Sequence, residues 1–423
     1  MSSYRTILAI IPPLLLAACS DDARPPLTAP PNTATAPETD AVNALKRYVA
    51  IGTSVSMGWQ SEGATAESQS QSWPAQLSRL AGTELDQPYL DGTGCKAPFA
   101  APLASGVRIS GEPVTISDAA VACANLQPGI DLPTRNVAIA GATTFDVLNS
   151  TSQTVVSPFG SRLYSRILPA GTTQLRAAMA QNPKVVSIEV GANEVLGARS
   201  GIAIPGVTIY PTAAWIPLYD ALVDTVTKGT QRVLLTGLIR DAASFPSFRR
   251  GSEIFADAPA LLAAFNVQVS PDCDGTPNLV FVPVRVPTAI SIGLYNRSHA
   301  LPPFVFSCAD GGPTAQDYVL TPAEAGIVNA TMAAMSDHIR AVATARGLAY
   351  FELDALYGLS SLKPPFSSVQ LMTTAQPYGG YISLDGIHPN GAGHAVLAAA
   401  AARALNDRYK MRIPTVATFI ARR

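Results

Sequence analysis

Short runs of β-branched and aliphatic residues alternate along the chain with stretches whose apolar positions recur every three or four residues. The runs fall at 47–51 (RYVAI), 136–139 (NVAI), 185–190 (VVSIEV), 232–236 (RVLLT) and 349–353 (AYFEL). Helical spacing fills the intervals at 73–80, where Trp73, Leu77 and Leu80 share a face, and at 174–181, 215–228 and 392–408. Thr321-Pro322-Ala323-Glu324 forms a capping-box start with proline at the first helical position, so a long helix is expected to run to about Arg346 and stop at Gly347. Strands alternating with helices predict an α/β fold, a doubly wound parallel sheet flanked by helices.

The pattern weakens at 240–320, a stretch rich in proline that is expected to be a large irregular insertion at one sheet edge, contributing to a substrate cleft. The folded domain is therefore placed at 46–410, with 411–423 as a tail. One domain with an elaborated edge fits this pattern better than two. Doubly wound sheets place their sites at the carboxyl ends of the strands, so the turns after those strands are where chemistry is expected.

The first residues break the pattern. Arg5 precedes an apolar run of about 12 residues, too short to span the ~30 Å hydrocarbon core of a bilayer. The run ends in Leu16-Ala17-Ala18-Cys19, which resembles a bacterial lipobox. Residues 1–18 are thus expected to be a signal peptide, with Cys19 lipidated and anchoring the protein to a membrane. Ser20, rather than aspartate, follows the cysteine and points to the outer membrane of a Gram-negative envelope more than the inner one. Residues 19–45 are rich in Pro, Thr and Ala and read as a semi-extended tether.

Composition narrows the reading. Hydrophobic residues are 48% and charged ones 14%, which excludes a generally disordered chain. A net charge of −1 with no basic stripe argues against a nucleic-acid partner. Four cysteines remain beyond Cys19: Cys95, Cys123, Cys273 and Cys308. None has zinc-site spacing, and the expected compartment is oxidising. Three pairings are open. Cys95–Cys123 with Cys273–Cys308 is favoured, because each closes a local loop rich in Gly, Pro and Asp.

The turns after the strands carry the candidate chemistry. The first holds Gly52-Thr53-Ser54-Val55-Ser56, a serine where strand passes into helix; alone it would be a helix cap. The second holds Ala140-Gly141-Ala142-Thr143, where glycine lets a backbone N–H approach a ligand. The third holds Gly191-Ala192-Asn193-Glu194, with a side-chain amide. Near the end stands Leu384-Asp385-Gly386-Ile387-His388-Pro389-Asn390, whose Asp385 and His388 are spaced to hydrogen-bond on one turn. His394 is a rival base, but its place in an Ala-rich helix suits packing better. Asp337 and His338, adjacent on a helix, point apart.

These four blocks, in this order and spanning about Tyr48 to Tyr409, resemble those of the SGNH/GDSL hydrolases. The resemblance implies a three-layer, flavodoxin-like fold and carboxylic-ester hydrolysis. Ser54 would be the nucleophile, His388 the general base and Asp385 its orienting acid. The oxyanion hole would be formed by the Ser54 and Gly141 N–H groups and the Asn193 amide. No metal or organic cofactor is implied, and the partners would be lipid or other small-molecule acyl esters, met by a monomer. Two positions depart from the family's pattern: Thr53 and Glu194 stand where aspartate is usual. A carbohydrate O-deacetylase of the same fold and a non-catalytic envelope binding lipoprotein remain as alternatives.

Overall fold

The computed structural model describes residues 39–415. The expected signal peptide, Cys19 and the expected tether up to residue 38 lie outside the described residues, as does the expected tail beyond 415. In chain order the strands are β1 (Tyr48–Gly52), β2 (Val185–Glu189), β3 (Arg232–Gly237), β4 (Phe248–Arg250), β5 (Val267–Val269), β6 (Leu279–Phe281), β7 (Phe304–Phe306), β8 (Val319–Leu320) and β9 (Ala349–Glu352). β1, β2, β3 and β9 pair in that order, all parallel.

The segment 136–139, expected as a second strand, runs parallel on the outer side of β1 through a single ladder bridge. Val137 N–H donates to Ala50 O at 3.0 Å and Ile139 N–H to Gly52 O at 3.1 Å. Its pairing is cut short because Gly141 turns the chain at φ +81° directly afterwards. Counting this segment, strands follow one another across the sheet in the order 2-1-3-4-5, that of flavodoxin-like folds.

Side chains alternate between the faces of the sheet and so feed two cores. Tyr48, Ala50, Leu234 and Phe351 join Trp73 and Leu77 of the Trp73–Leu80 helix and Leu397 and Leu405 of the Gly391–Tyr409 helix. Val49, Ile51, Val186, Ile188 and Leu235 face the other way. There they meet Leu175 of Gln174–Met179, Trp215 and Leu222 of Thr212–Gly229, and Ile339 of Pro322–Arg346. The Pro322–Arg346 helix starts at the expected capping box and ends with Gly347 at φ +61°.

Three regions depart from expectation. Residues Thr39–Leu45, placed in the tether, form a helix whose Ala41, Ala44 and Leu45 are buried in the first core. Met411 and Ile413, placed in the tail, are buried there as well. The 240–320 stretch is an insertion, yet a more regular one than its prolines suggest. It holds the antiparallel trio β4-β6-β8, the parallel pair β5-β7, and helices Gly251–Ala256, Ala258–Phe265 and Val282–Ser298. Pro259 and Pro283 fall in helical first turns, where the missing N–H is no loss. A third apolar cluster, including Phe248, Leu279, Phe281 and Leu320, ties the insertion to Val328 and Met332.

The disulfides are Cys95–Cys123 and Cys273–Cys308, the local pairing. No helix among the described residues is long and apolar enough to cross a membrane.

Trp73 is fully buried and packs edge-on against Phe351 with ring centroids 5.4 Å apart. Trp73→Ala should therefore destabilise the domain by about 3–5 kcal/mol, read from urea unfolding monitored by circular dichroism.

Candidate active site

β1 ends at Gly52, and the chain turns at once into the short Ser54–Met57 helix, with Thr53 as its N-cap. Ser54 occupies the first helical position, where a backbone N–H has no intrahelical acceptor. Its hydroxyl lies 2.9 Å from His388 Nε2, and His388 Nδ1 lies 2.8 Å from Asp385 Oδ2. With Nδ1–H donating to the carboxylate, Nε2 is left as acceptor for the serine hydroxyl. The serine, histidine and aspartate found in separate blocks thus form one continuous hydrogen-bonded line.

Asp385 is buried, and further donors hold it. Oδ1 accepts the Ile387 and His388 N–H groups, both at 2.9 Å, and the Ser383 hydroxyl at 3.2 Å. Oδ2 also accepts the Glu62 N–H at 2.9 Å. Burial alone would push this carboxyl up, but His388 and the N–H donors outweigh it and hold it at about 2. Burial likewise pulls the His388 imidazole down, and the facing Asp385 more than reverses this, leaving it above its ordinary value.

The other two blocks reach the same place. Ser54, Gly141, Asn193 and His388 line one cleft. Asn193 Nδ2 donates to Ala142 O at 2.7 Å; a carboxamide carries two hydrogens, so this contact fixes the side chain and leaves one for a ligand. Gly141 adopts φ +81° with open space where a Cβ would stand, so backbone conformation rather than crowding calls for glycine there. Glu194 is buried, and its Oε1 accepts the Thr144 N–H at 2.7 Å, joining the third block to the helix after the second.

The rival histidines are occupied otherwise. His394 is fully buried, and burial, then the charge of His388, pushes its imidazole down to about 3. His338 Nε2 meets Asp220 Oδ1 at 2.8 Å, while Asp337 pairs with Arg240. Trp59 lines the cleft beside Phe159, whereas Trp73 belongs to the core.

Two contributions escape a motif reading. Glu189, the last residue of β2, is completely buried beneath the Ser54 turn. Its carboxylate accepts the Thr53 N–H and the Ser56 N–H, both at 3.1 Å, and the Thr53 hydroxyl at 2.9 Å. Burial raises its pKa, and the Thr53 and Ser56 hydrogen bonds oppose that rise. The sequence signal was a charged residue closing a strand that otherwise carries no charge. The second is the 61–62 turn: Ser61 and Glu62 both take positive φ, and their N–H groups reach Ser383 Oγ and Asp385 Oδ2. No local pattern announces this contact, which joins positions 323 residues apart.

No protein-family model matches the chain, and no curated protein does. Among solved structures, similarity is found to an acetyl xylan esterase from Geobacillus stearothermophilus, at 12% identity over 85% of this chain and 93% of that one, with a TM-score of 0.35. An α/β hydrolase from the metagenome of Lake Arreo, Spain, matches at 14% identity over 85% and 95%, with a TM-score of 0.34. An extracellular lipase from Streptomyces rimosus matches at 12% identity over 85% and 98%, with a TM-score of 0.32. Similarity this distant leaves the reading of the site to its own geometry.

Glu189→Leu leaves two buried N–H groups without an acceptor and should cost about 1–3 kcal/mol per unsatisfied group, measured by chemical denaturation. In an NMR titration, His388 should lose its proton above the ordinary imidazole range. In Asp385→Asn the midpoint should fall, because the carboxylate that raises it is gone. All four blocks that carry the resemblance to the SGNH/GDSL hydrolases meet around the Ser54 hydroxyl.

Proposed function

We propose that this chain is a serine carboxylic-ester hydrolase of SGNH/GDSL type, with Ser54 as nucleophile, His388 as general base and Asp385 as the acid that orients it. The observation that carries this reading is the unbroken line from Ser54 Oγ to His388 Nε2 and from Nδ1 to Asp385, with distances of 2.9 and 2.8 Å. These are the separations a proton transfer between nucleophile and base requires.

The reaction follows from the chemistry of those atoms. Ser54 Oγ attacks the ester carbonyl carbon as its proton passes to His388 Nε2. The carbonyl oxygen takes up negative charge and is met by the Ser54 and Gly141 N–H groups and the Asn193 amide. Asp385 remains ionised and stabilises the imidazolium. Collapse of the tetrahedral intermediate breaks the bond to the alcohol, which leaves with the proton held on His388, and Ser54 retains the acyl group. Water then attacks the acyl carbon, giving up a proton to His388, and collapse of this second intermediate breaks the bond to Ser54 Oγ, which regains the proton from His388 as the carboxylic acid leaves.

The same reading places the enzyme in the cell envelope, anchored through a lipidated Cys19. The Leu16-Ala17-Ala18-Cys19 motif supports this, and two disulfides in the described residues accord with an oxidising compartment.

Hydrolysis of p-nitrophenyl esters and labelling by a fluorophosphonate test the proposal. Ser54→Ala should abolish both, and Asn193→Ala should lower kcat by about 100- to 1000-fold while labelling at Ser54 persists. Full activity in Ser54→Ala would sink the assignment.

A further inference from the structure

Two clefts, one almost wholly apolar and one mixed, open on the Ser54 hydroxyl, and both include His388 and Asn193 in their walls. In the apolar one, Leu238 follows β3, Val328 and Met332 come from the Pro322–Arg346 helix, and the insertion contributes Ala242, Phe248 and Leu320. Phe248 and Leu320 sit on β4 and β8, the outer strands of the insertion's antiparallel trio, and belong to its own apolar cluster. The insertion is also fastened to the site itself, since the Ser247 N–H donates to Gly386 O at 3.0 Å within the turn carrying Asp385 and His388.

The other cleft is mixed, with charged side chains set beside apolar and aromatic walls. Lys96 stands 3.0 Å from Asp118 and 3.8 Å from Glu62, and Arg199 stands 3.9 Å from Glu62. Trp59 and Phe159 supply an aromatic wall, with ring centroids 6.1 Å apart. Three carboxylates, those of Glu62, Asp118 and Asp146, line this cleft beside two cations, Lys96 and Arg199, so no surplus of positive charge is left to hold an anion. Hydroxyls can still exchange hydrogen bonds with these side chains.

An ester sends two arms away from its carbonyl carbon, and here each arm meets a different solvent. Hydrocarbon laid in the mixed cleft would strip water from carboxylates and ammonium without replacing it, which is costly. In the apolar cleft each buried methylene favours binding by roughly fourfold. We propose that the insertion-walled cleft binds the acyl chain and the mixed cleft the alcohol. The substrate class is then an ester of an acyl chain several carbons long with a hydroxyl-bearing alcohol that carries no negative charge. This rests on the serine-hydrolase reading given above.

The experiment measures kcat/KM for p-nitrophenyl acetate, butyrate and octanoate with the folded enzyme and two variants, each first checked for fluorophosphonate labelling at Ser54. The native enzyme should prefer butyrate and octanoate to acetate. Ala242→Trp, which fills the cleft, should lower the octanoate-to-acetate ratio by about tenfold or more. Phe248→Ala, which widens it, should shift the preference towards longer chains. In the native enzyme, glyceryl monobutyrate should be cleaved with a lower KM than ethyl butyrate, whose alcohol offers no hydroxyls. Labelled enzyme that cleaves only acetate, or an octanoate-to-acetate ratio unmoved in both labelled variants, overturns the acyl assignment alone. Equal KM values for the two butyrates overturn the alcohol assignment. Absence of Ser54 labelling together with absence of hydrolysis of any ester overturns the hydrolase reading, and this proposal with it.

Discussion

A single buried carboxylate governs the geometry of the site. Asp385 lies in the interior, where an ionised group without partners would be prohibitively costly. It is tolerated because the chain converges on it from two directions. The turn that bears it folds back to offer the Ile387 and His388 N–H groups and the Ser383 hydroxyl, and the 61–62 turn brings the Glu62 N–H from the opposite end of the sequence. The His388 imidazole completes the set and is oriented by doing so. The need to neutralise one charge thus fixes the base, its tautomer and the approach of the segment that follows the nucleophile.

A second buried acid, Glu189, does for the nucleophile what Asp385 does for the base. It gathers Thr53 and Ser56 on either side of Ser54. This explains the departure at position 53. An aspartate there, the residue the resemblance leads one to expect, would set a second carboxylate against Glu189 in a site sealed from solvent. Threonine instead gives a hydroxyl donor. Thr53 and Glu189 thus form one hydrogen-bonded arrangement beneath Ser54.

Much of this could be read from the residues in order. The strands at 48–52, 185–189, 232–237 and 349–352 were legible because full burial demands near-continuous apolar runs, and the Thr321 cap and Gly347 stop were legible because helix ends have few chemical solutions. Ser54, Asn193, Asp385 and His388 stood out because each falls in one of four blocks met in the order that carries the resemblance, though Ser54 alone reads as a helix cap. What escaped was decided at a distance. The Ser61–Glu62 clasp depends on residues more than 300 positions away, and the residues 39–45 fold only because the first core offers Ala41, Ala44 and Leu45 a place to bury. The prolines of the insertion misled because the same residue that breaks a helix interior also opens one, and Pro259 and Pro283 do the latter.

The contact between Ser54 and His388 spans 334 positions of the chain. The nucleophile emerges among the earliest folded residues during synthesis, and its base among the last. No N-terminal fragment that ends before residue 388 contains both. A protein cut short between β9 and residue 388, whether by a nonsense codon or a protease, carries all four strands of the central sheet in its sequence yet holds an unactivated serine. Reactivity in such an architecture reports on completeness: the hydroxyl is armed only once the final turn has docked beside the first.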